Sequence, residues 1–304
     1  MTRTVANLLL LLVGAVWGFT FIAQSEAMDD LGPFLFIAAR FSVAALVLLP
    51  FALFESSRAR KPLTGEQRGI HLGIGVILFF GMALQQVGLL TTTVTNSGFL
   101  TSLYVVLVPV LGVVILRQWP HPIVWPCALL AIAGIYLLSG GALARLVVGD
   151  LYTIACAAVW ALHVLCIGRF AQAIGRPFAL ATTQLAVAAV LGLAIALVTE
   201  PIAWAPIRAA AWEILFAAVL GSSFAFTLQI IGQRYTTAPQ AAIFLSSESL
   251  FAAAFGALLL GERVGLTGLA GCGLIFVAML LVEVVPGLRA RRKTSVRIRE
   301  QSVT

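Results

Sequence analysis

The chain carries ten apolar stretches, each about as long as a helix that crosses a membrane. Such a helix needs about 20 apolar residues, and it tolerates internal glycine and proline. Only 10% of the residues are charged and 61% are hydrophobic, whereas soluble domains are about a quarter charged. The sequence therefore predicts an all-α integral membrane protein with ten transmembrane helices, numbered spans 1 to 10: 5–24, 33–54, 69–90, 95–116, 122–139, 150–168, 178–199, 210–233, 237–260 and 265–285.

The second half of the sequence repeats the first. Residues 84–116 align without a gap to 228–260 with eight identities in 33 positions, and Gln85 is matched to Gln229. Because a five-span unit duplicated in tandem enters the membrane from opposite sides, we expect two inverted five-helix repeats around a central cavity. The expected units are 5–139, 150–285 and a basic cytoplasmic tail at 286–304.

Basic residues predict which side of the membrane each loop faces. With the N-terminus inside, Arg145, Arg208 and Arg263 fall outside, Arg40 lies within span 2, and all other Lys and Arg residues fall inside. Both termini are therefore expected to be cytoplasmic. The net charge of +7 is explained by this asymmetry, so no nucleic-acid partner is expected. All four cysteines lie in apolar runs without metal-ligand spacing, so neither a metal nor a disulfide is expected.

Polar side chains inside the spans indicate where function lies, because each is costly in hydrocarbon unless it faces a partner or water. The polar candidates for a substrate site are Gln85, Ser102, His163, Ser222, Gln229 and Glu248. For the two glutamines, hydrogen bonds between helices are an equal alternative to contact with substrate. For His163, the competing interpretation is a packing residue with satisfied hydrogen bonds.

Arg40 and Glu248 are the only charged residues well inside a predicted span. An isolated charge there costs at least about 2.5 kcal/mol, so they are expected either to pair with each other or to line water. Arg40 has a second option, because it lies seven residues into span 2 and can extend to the outer interface. Glu248 lies in the middle of its span, where the alternative is a structural hydrogen bond in its protonated form.

Aromatic residues at equivalent positions of the repeat suggest an apolar cavity wall. Trp17 and Trp160 occupy matching places in spans 1 and 6. The further candidates for this wall are Phe21, Phe79 and Phe99, and Met82 is a site candidate because it lies on the same face of span 3 as Gln85. Bundle core or lipid contact is the alternative for all of them. The sequence contains no phosphate loop, nucleophile elbow or paired-carboxylate motif, so neither an enzyme nor a cofactor is expected.

The chain resembles the drug/metabolite transporter superfamily and, within it, the EamA family of bacterial inner-membrane exporters. The motifs that carry the resemblance are "AVWGFTF" in span 1, "AARFSVAALVLLP" in span 2, "TNSGFLTSLYVVLVPVLG" in span 4 and "SSESLFAAAFGALLLGE" in span 9. Glu248 matches the glutamate of the family's Leu-Glu-Pro motif, although the proline is absent here. The resemblance implies a cavity enclosed by spans 1, 3, 4, 6, 8 and 9, with spans 5 and 10 behind.

The resemblance implies export of a small molecule across the inner membrane by alternating access. The aromatic content of the cavity spans is similar to that of YddG-type exporters, which favours aromatic or neutral amino acids as substrates. Efflux of cationic drugs or polyamines is the alternative within transport, and a lipid scramblase or a membrane scaffold is the alternative outside it. Small residues of span 10, 265–273, allow close helix contact, either within the bundle or in a homodimer.

Overall fold

The computed structural model describes residues 1–92, 94–138, 147–259 and 265–301, with side chains at all of these except 95, 96, 138, 256 and 287–301. Within those ranges the protein is helical and contains no strand. Nine helical segments there are long and apolar enough to cross a membrane, and Val124–Leu137 is a shorter apolar helix. The predicted all-α membrane fold is therefore confirmed. The predicted topology places Arg145 and Arg263 on the outer side of the membrane, and neither is among the described residues.

The helices coincide closely with the predicted spans. Spans 1 to 3 are Arg3–Glu26, Pro33–Ser57 and Gly65–Leu89, and spans 5 to 7 are Val124–Leu138, Val148–Ile174 and Pro177–Thr199. Span 10 begins at Leu266 and its helix continues to Gln301, through the region predicted as a separate tail. The Lys, Arg and Glu residues there are good helix formers, so charge ends the apolar span without ending the helix.

Spans 4 and 9 are each broken at the same place in the repeat. Span 4 consists of Val94–Thr101 and Tyr104–Leu116, and span 9 consists of Ala238–Leu245 and Glu248–Leu259. The sequence predicted continuous helices at both places. Serine hydroxyls compete for backbone groups at the second break, where Ser246 donates to the Ile243 carbonyl at 2.9 Å and Ser249 to the Ser246 carbonyl at 2.7 Å.

Span 8 contains a wide helical turn that hydropathy does not reveal. Between Ala211–Phe216 and Ala225–Gln233, residues Ala217–Phe224 form a π-helix. Ser222 and Ser223 donate hydrogen bonds to carbonyls five residues earlier in the chain, at 2.7 and 3.0 Å. Segments of π-helix are frequent at functional sites because they redirect side chains.

Packing between the spans respects the repeat. Span 2 packs along span 7, and span 5 packs along span 10, so these equivalent pairs contact each other directly. Span 3 of the first half packs on span 6 of the second, and in the same way span 8 of the second half packs on span 1 of the first. Exchanging the two halves therefore exchanges these contacts with one another, as expected for two five-helix repeats related by a pseudo-two-fold axis.

Two carboxylates join spans 2 and 7 at opposite ends. Glu200, which follows span 7, accepts hydrogen bonds from the first turn of span 2, and Glu55, near the end of span 2, accepts them from the first turn of span 7. The donors are the backbone N–H groups of Phe34 (2.9 Å), Leu35 (2.7 Å), Phe178 (3.4 Å) and Ala179 (2.8 Å). A carboxylate in this position accepts hydrogen bonds from otherwise unpaired amides and is stabilised by the positive end of the helix dipole.

Candidate functional site

Arg40 extends from span 2 into the interior of the bundle. Its Nε donates to Ser222 Oγ at 2.7 Å, and its Nη1 donates to Gln24 Oε1 at 2.6 Å. The side chain is only 2% exposed, so it does not reach the outer interface. The π-helix of span 8 presents Ser222 to the guanidinium, and Gln24 comes from the end of span 1. Because a guanidinium has five N–H donors, these two bonds leave others available.

Glu248 begins the second half of span 9, immediately after the break. Its carboxylate accepts a hydrogen bond from Ser102 at 3.5 Å, and the Tyr104 hydroxyl lies nearby. The side chain is 4% exposed. The one ion pair among the described side chains joins Arg3 to Glu283 at the end of the bundle, so Arg40 and Glu248 are not paired directly.

Both of these charged residues face one small internal cavity. Its volume is about 20 Å³, which is room for a single water molecule. Residues from spans 1, 2, 3, 6, 8 and 9 line it: Trp17, Phe21, Gln24, Arg40, Met82, Gln85, Trp160, Phe226 and Glu248. Span 2 therefore contributes to the cavity through Arg40, although the resemblance placed that span outside it. Ser102 of span 4 is not among the lining residues, but it contacts Glu248, which is.

Three aromatic rings form one wall of the cavity. Trp17 lies 5.6 Å from Trp160 and 5.3 Å from Phe226 between ring centroids, and Trp160 lies 5.9 Å from Phe226. The Trp17 indole is held by a 3.0 Å hydrogen bond to the Gly221 carbonyl. The sequence did not single out Phe226 as a site residue, although its position four residues after Ser222 places both on one helical face.

His163 lies behind the aromatic wall rather than on the cavity. Its ring centroid is 5.0 Å from that of Trp160 and 6.1 Å from that of Phe226. Its Nε2 is 3.0 Å from Gln184 Oε1. The histidine and Gln184 thus satisfy part of each other's hydrogen bonding and brace the wall from span 7.

Gln85 and Gln229 are equivalent in the repeat but differ in their surroundings. Gln85 lines the cavity and donates to Thr101 at 3.2 Å. Gln229 is fully buried, and neither its amide nitrogen nor its amide oxygen has a partner among the described residues. The position equivalent to Thr101 is Leu245, which offers no polar group. A hydrogen bond between helices therefore explains the presence of a buried glutamine at position 85 but not at position 229.

The remaining predicted site residues divide into three groups. Phe21 and Met82 line the cavity, as the sequence suggested. Ser222 does not line the cavity but accepts a hydrogen bond from Arg40. Phe79 and Phe99 are not among the lining residues: the Phe79 ring packs 5.5 Å from Phe80, and the Phe99 ring lies 6.5 Å from Tyr136 of span 5.

A wider depression of about 480 Å³ lies at the end of the bundle where span 1 begins. It is bordered by the ends of spans 1, 4, 5, 6, 9 and 10. Glu283 joins three of these spans, because it pairs with Arg3 at 3.4 Å and accepts hydrogen bonds from Asn7 and Gln240. We call this depression the vestibule.

Spans 3 and 6 meet closely at the opposite end. A Cβ atom added at Gly88 would lie 2.7 Å from Thr153 Oγ1 and 2.9 Å from the Gly149 carbonyl oxygen. Thr92 donates a hydrogen bond to Asp150 beside this contact. The two backbones can approach this closely only because both crossing residues are glycines.

Comparison with known proteins agrees with this architecture. The chain matches the EamA-like transporter family over residues 4–140 and again over 147–284. It is 32% identical over 289 residues to a protein of Archaeoglobus fulgidus described as an uncharacterized transporter, covering 92% of this chain and 86% of that protein. A protein crystal structure with 18% sequence identity covers 93% of this chain and 98% of its own with a TM-score of 0.77, which shows a shared fold. The chain therefore belongs to the EamA-like transporter family.

Proposed function

We propose that this membrane transporter exports small metabolites, namely aromatic or neutral amino acids, by alternating access across a bacterial inner membrane, with both termini in the cytoplasm. The observation that carries the proposal is the placement of Arg40 and Glu248. Two side chains of opposite charge line one cavity without pairing to each other. A transporter for uncharged substrates has no need to bear the cost of two buried charges.

An amino acid complements this arrangement group by group. Its carboxylate would accept hydrogen bonds from Arg40, whose planar guanidinium suits carboxylates. Its ammonium group would face Glu248, and its side chain would lie against Trp17, Trp160 and Phe226. Gln85 would supply a further amide at the polar end. Each residue thus has one role in binding and none in chemistry, in keeping with a transporter rather than an enzyme.

The alternatives are less well supported by the same cavity. A cationic drug or a polyamine would be attracted by Glu248 but repelled by Arg40, which lines the same cavity. A lipid scramblase would need a polar groove on its outer surface. Here Gln24, Arg40, Gln85 and Glu248 converge on an internal cavity instead.

Alternating access is supported by the difference between the two cavities. Ligand sites usually measure roughly 300–1,000 Å³, so the central cavity of about 20 Å³ must widen to admit a substrate. The vestibule lies at one end of the bundle, and the Gly88–Gly149 contact lies at the other. Broken helices around a central site, such as spans 4 and 9, are typical of transporters built from inverted repeats.

The experiment is uptake of radiolabelled phenylalanine into proteoliposomes, with unlabelled competitors. We expect competition by phenylalanine and leucine, and at least about tenfold weaker competition by N-acetylphenylalanine, phenylalaninamide and putrescine, because each lacks one of the two charges. Equal competition by the blocked analogues would contradict recognition of both charges. Absence of any amino-acid uptake would leave a transporter with a different cargo.

A further inference from the structure

A second concavity, of about 530 Å³, lies on the outside of the bundle at the end of span 2 and the beginning of span 7. Its wall includes Phe51, Phe54, Glu55, Arg58, Arg176 and Phe178. It is separate from the central cavity, with which it shares no lining residue. We propose that this concavity binds the headgroup of an anionic phospholipid. The site is independent of the transported substrate.

The charges of the concavity are arranged for an anion. Arg58 is exposed and lies 4.2 Å above the Phe54 ring centroid, where the ring holds the guanidinium at the rim. Arg176 donates a hydrogen bond to the Lys61 carbonyl and so ties the loop after span 2 to the start of span 7. The Glu55 carboxylate already accepts from the first amides of span 7. It therefore occupies the helix N-terminus and leaves the two arginines to bind phosphate.

The apolar part of the concavity faces the surrounding membrane. Phe51 and Phe54 are 54% and 58% exposed, and the Phe51 ring stacks on Phe178 with centroids 5.7 Å apart. Aromatic rings next to arginines match the boundary between a lipid headgroup and its acyl chains, where amphipathic residues concentrate. A free phosphate ion would use the arginines but not these rings.

The repeat supplies an internal comparison. At the opposite end of the bundle, Glu200 caps span 2 as Glu55 caps span 7. The positions there that correspond to Arg58 and Arg176 are Ile202 and Gly32, and a Cβ at Gly32 would meet the Glu200 carboxylate. A carboxylate therefore caps a helix at both ends of the packed pair of spans 2 and 7, but two arginines accompany it at one end only.

The predicted topology places the arginine-bearing end at the cytoplasmic leaflet. Anionic lipids are enriched in such leaflets and attract basic residues near the surface. Arg60 and Lys61 also lie in this loop but do not line the concavity. Replacing them removes the same charge and leaves the lining of the concavity unchanged, so they provide a matched control.

The test measures binding of phosphatidylglycerol to the purified full-length protein in neutral detergent, with phosphatidylcholine and glycerol 3-phosphate as comparison ligands. We expect phosphatidylglycerol to bind about tenfold more tightly than phosphatidylcholine, and glycerol 3-phosphate to compete weakly. The Arg58→Gln/Arg176→Gln variant should lose that preference, while Arg60→Gln/Lys61→Gln, with the same loss of charge, should keep it.

Three results would overturn the proposal: no preference for the anionic lipid, an equal loss in both double variants, or glycerol 3-phosphate competing as well as the lipid. The last result would identify a soluble phosphate site instead. If the Arg58→Gln/Arg176→Gln protein does not fold, Arg58→Gln alone provides the test, because the exposed Arg58 side chain makes its contact with the Phe54 ring at the surface. The measurement is binding, so failure of amino-acid transport leaves its outcome unaffected.

Discussion

Ser102 donates a hydrogen bond to Glu248 across the centre of the bundle, with 3.5 Å between the hydroxyl and a carboxylate oxygen. Ser102 lies at the break of span 4, and Glu248 begins the second half of span 9 after its own break. The equivalent of Ser102 in the second repeat is Ser246, whose hydroxyl donates instead to the carbonyl of Ile243 in its own helix. Two broken helices thus meet at one carboxylate, and the repeat is asymmetric at its centre.

Replacing this serine should weaken substrate binding. The Ser102→Ala variant removes a donor to the buried carboxylate of Glu248, which is worth about 1 kcal/mol and should raise the KM for phenylalanine uptake roughly fivefold. Ser246→Ala, which removes only a local bond, is the matched control and should change KM by less than about twofold. Similar effects in both variants would show that the serines act on the helix breaks and not on the site.

The two charged residues should recognise different ends of the substrate. We expect Arg40→Gln to raise the KM for phenylalanine about tenfold or more and to abolish discrimination against phenylalaninamide. Glu248→Gln should instead abolish discrimination against N-acetylphenylalanine. The measurement is the competition assay in proteoliposomes, with size-exclusion chromatography as the control for folding. An identical change in selectivity for both variants would contradict separate roles.

We expect the buried amide of Gln229 to lower the stability of the protein and to contribute to transport. The Gln229→Leu variant removes two buried polar atoms that have no partner in the described part of the chain, so we expect unfolding to require about 1–3 kcal/mol more while phenylalanine uptake falls. Gln85→Leu breaks the bond to Thr101 and should lower stability. Thermal unfolding in detergent and uptake in proteoliposomes measure the two effects. If Gln229→Leu transports normally, Gln229 has no part in the substrate path.

The glycine contact between spans 3 and 6 should be intolerant of a methyl group. In Gly88→Ala the new Cβ would lie 2.7 Å from Thr153 Oγ1, and such overpacking costs about 1–3 kcal/mol. Gly81→Ala is the control in the same helix, because its Cβ would meet nothing nearer than Val159 at 3.6 Å. We expect a lower unfolding temperature and slower uptake for Gly88→Ala only. Equal behaviour of the two variants would show that transport does not depend on the close contact of spans 3 and 6 at Gly88.

Much of the fold is predictable from the sequence because burial in a bilayer imposes a length and a composition on each span. The ten spans agree with the helices to within a few residues at most ends. The breaks in spans 4 and 9 are not predictable in this way, because serines are compatible with both continuous and broken helices. The π-helix at Ala217–Phe224 likewise leaves apolar content unchanged and is invisible to hydropathy.

The candidate site was predicted less completely, because one sequence does not show which helix faces meet. Trp17, Gln85 and Glu248 were found from polarity and repeat position, and they line one cavity. Gln24 was overlooked, although it binds Arg40, since it lies at the end of span 1 where polar residues are ordinary. The inward path of Arg40 follows from packing against spans 1 and 8, which only the structure shows.

The reciprocal caps of Glu55 and Glu200 limit how the protein can move. Sliding span 2 along span 7 by one helical turn, about 5.4 Å, would pull both carboxylates away from their amides at once. Rotating one half against the other about an axis that runs along spans 2 and 7 leaves both caps in place. Spans 2 and 7 therefore form a hinge axis that is fixed at both ends. We expect the two halves to rotate about this axis during transport and not to slide along it.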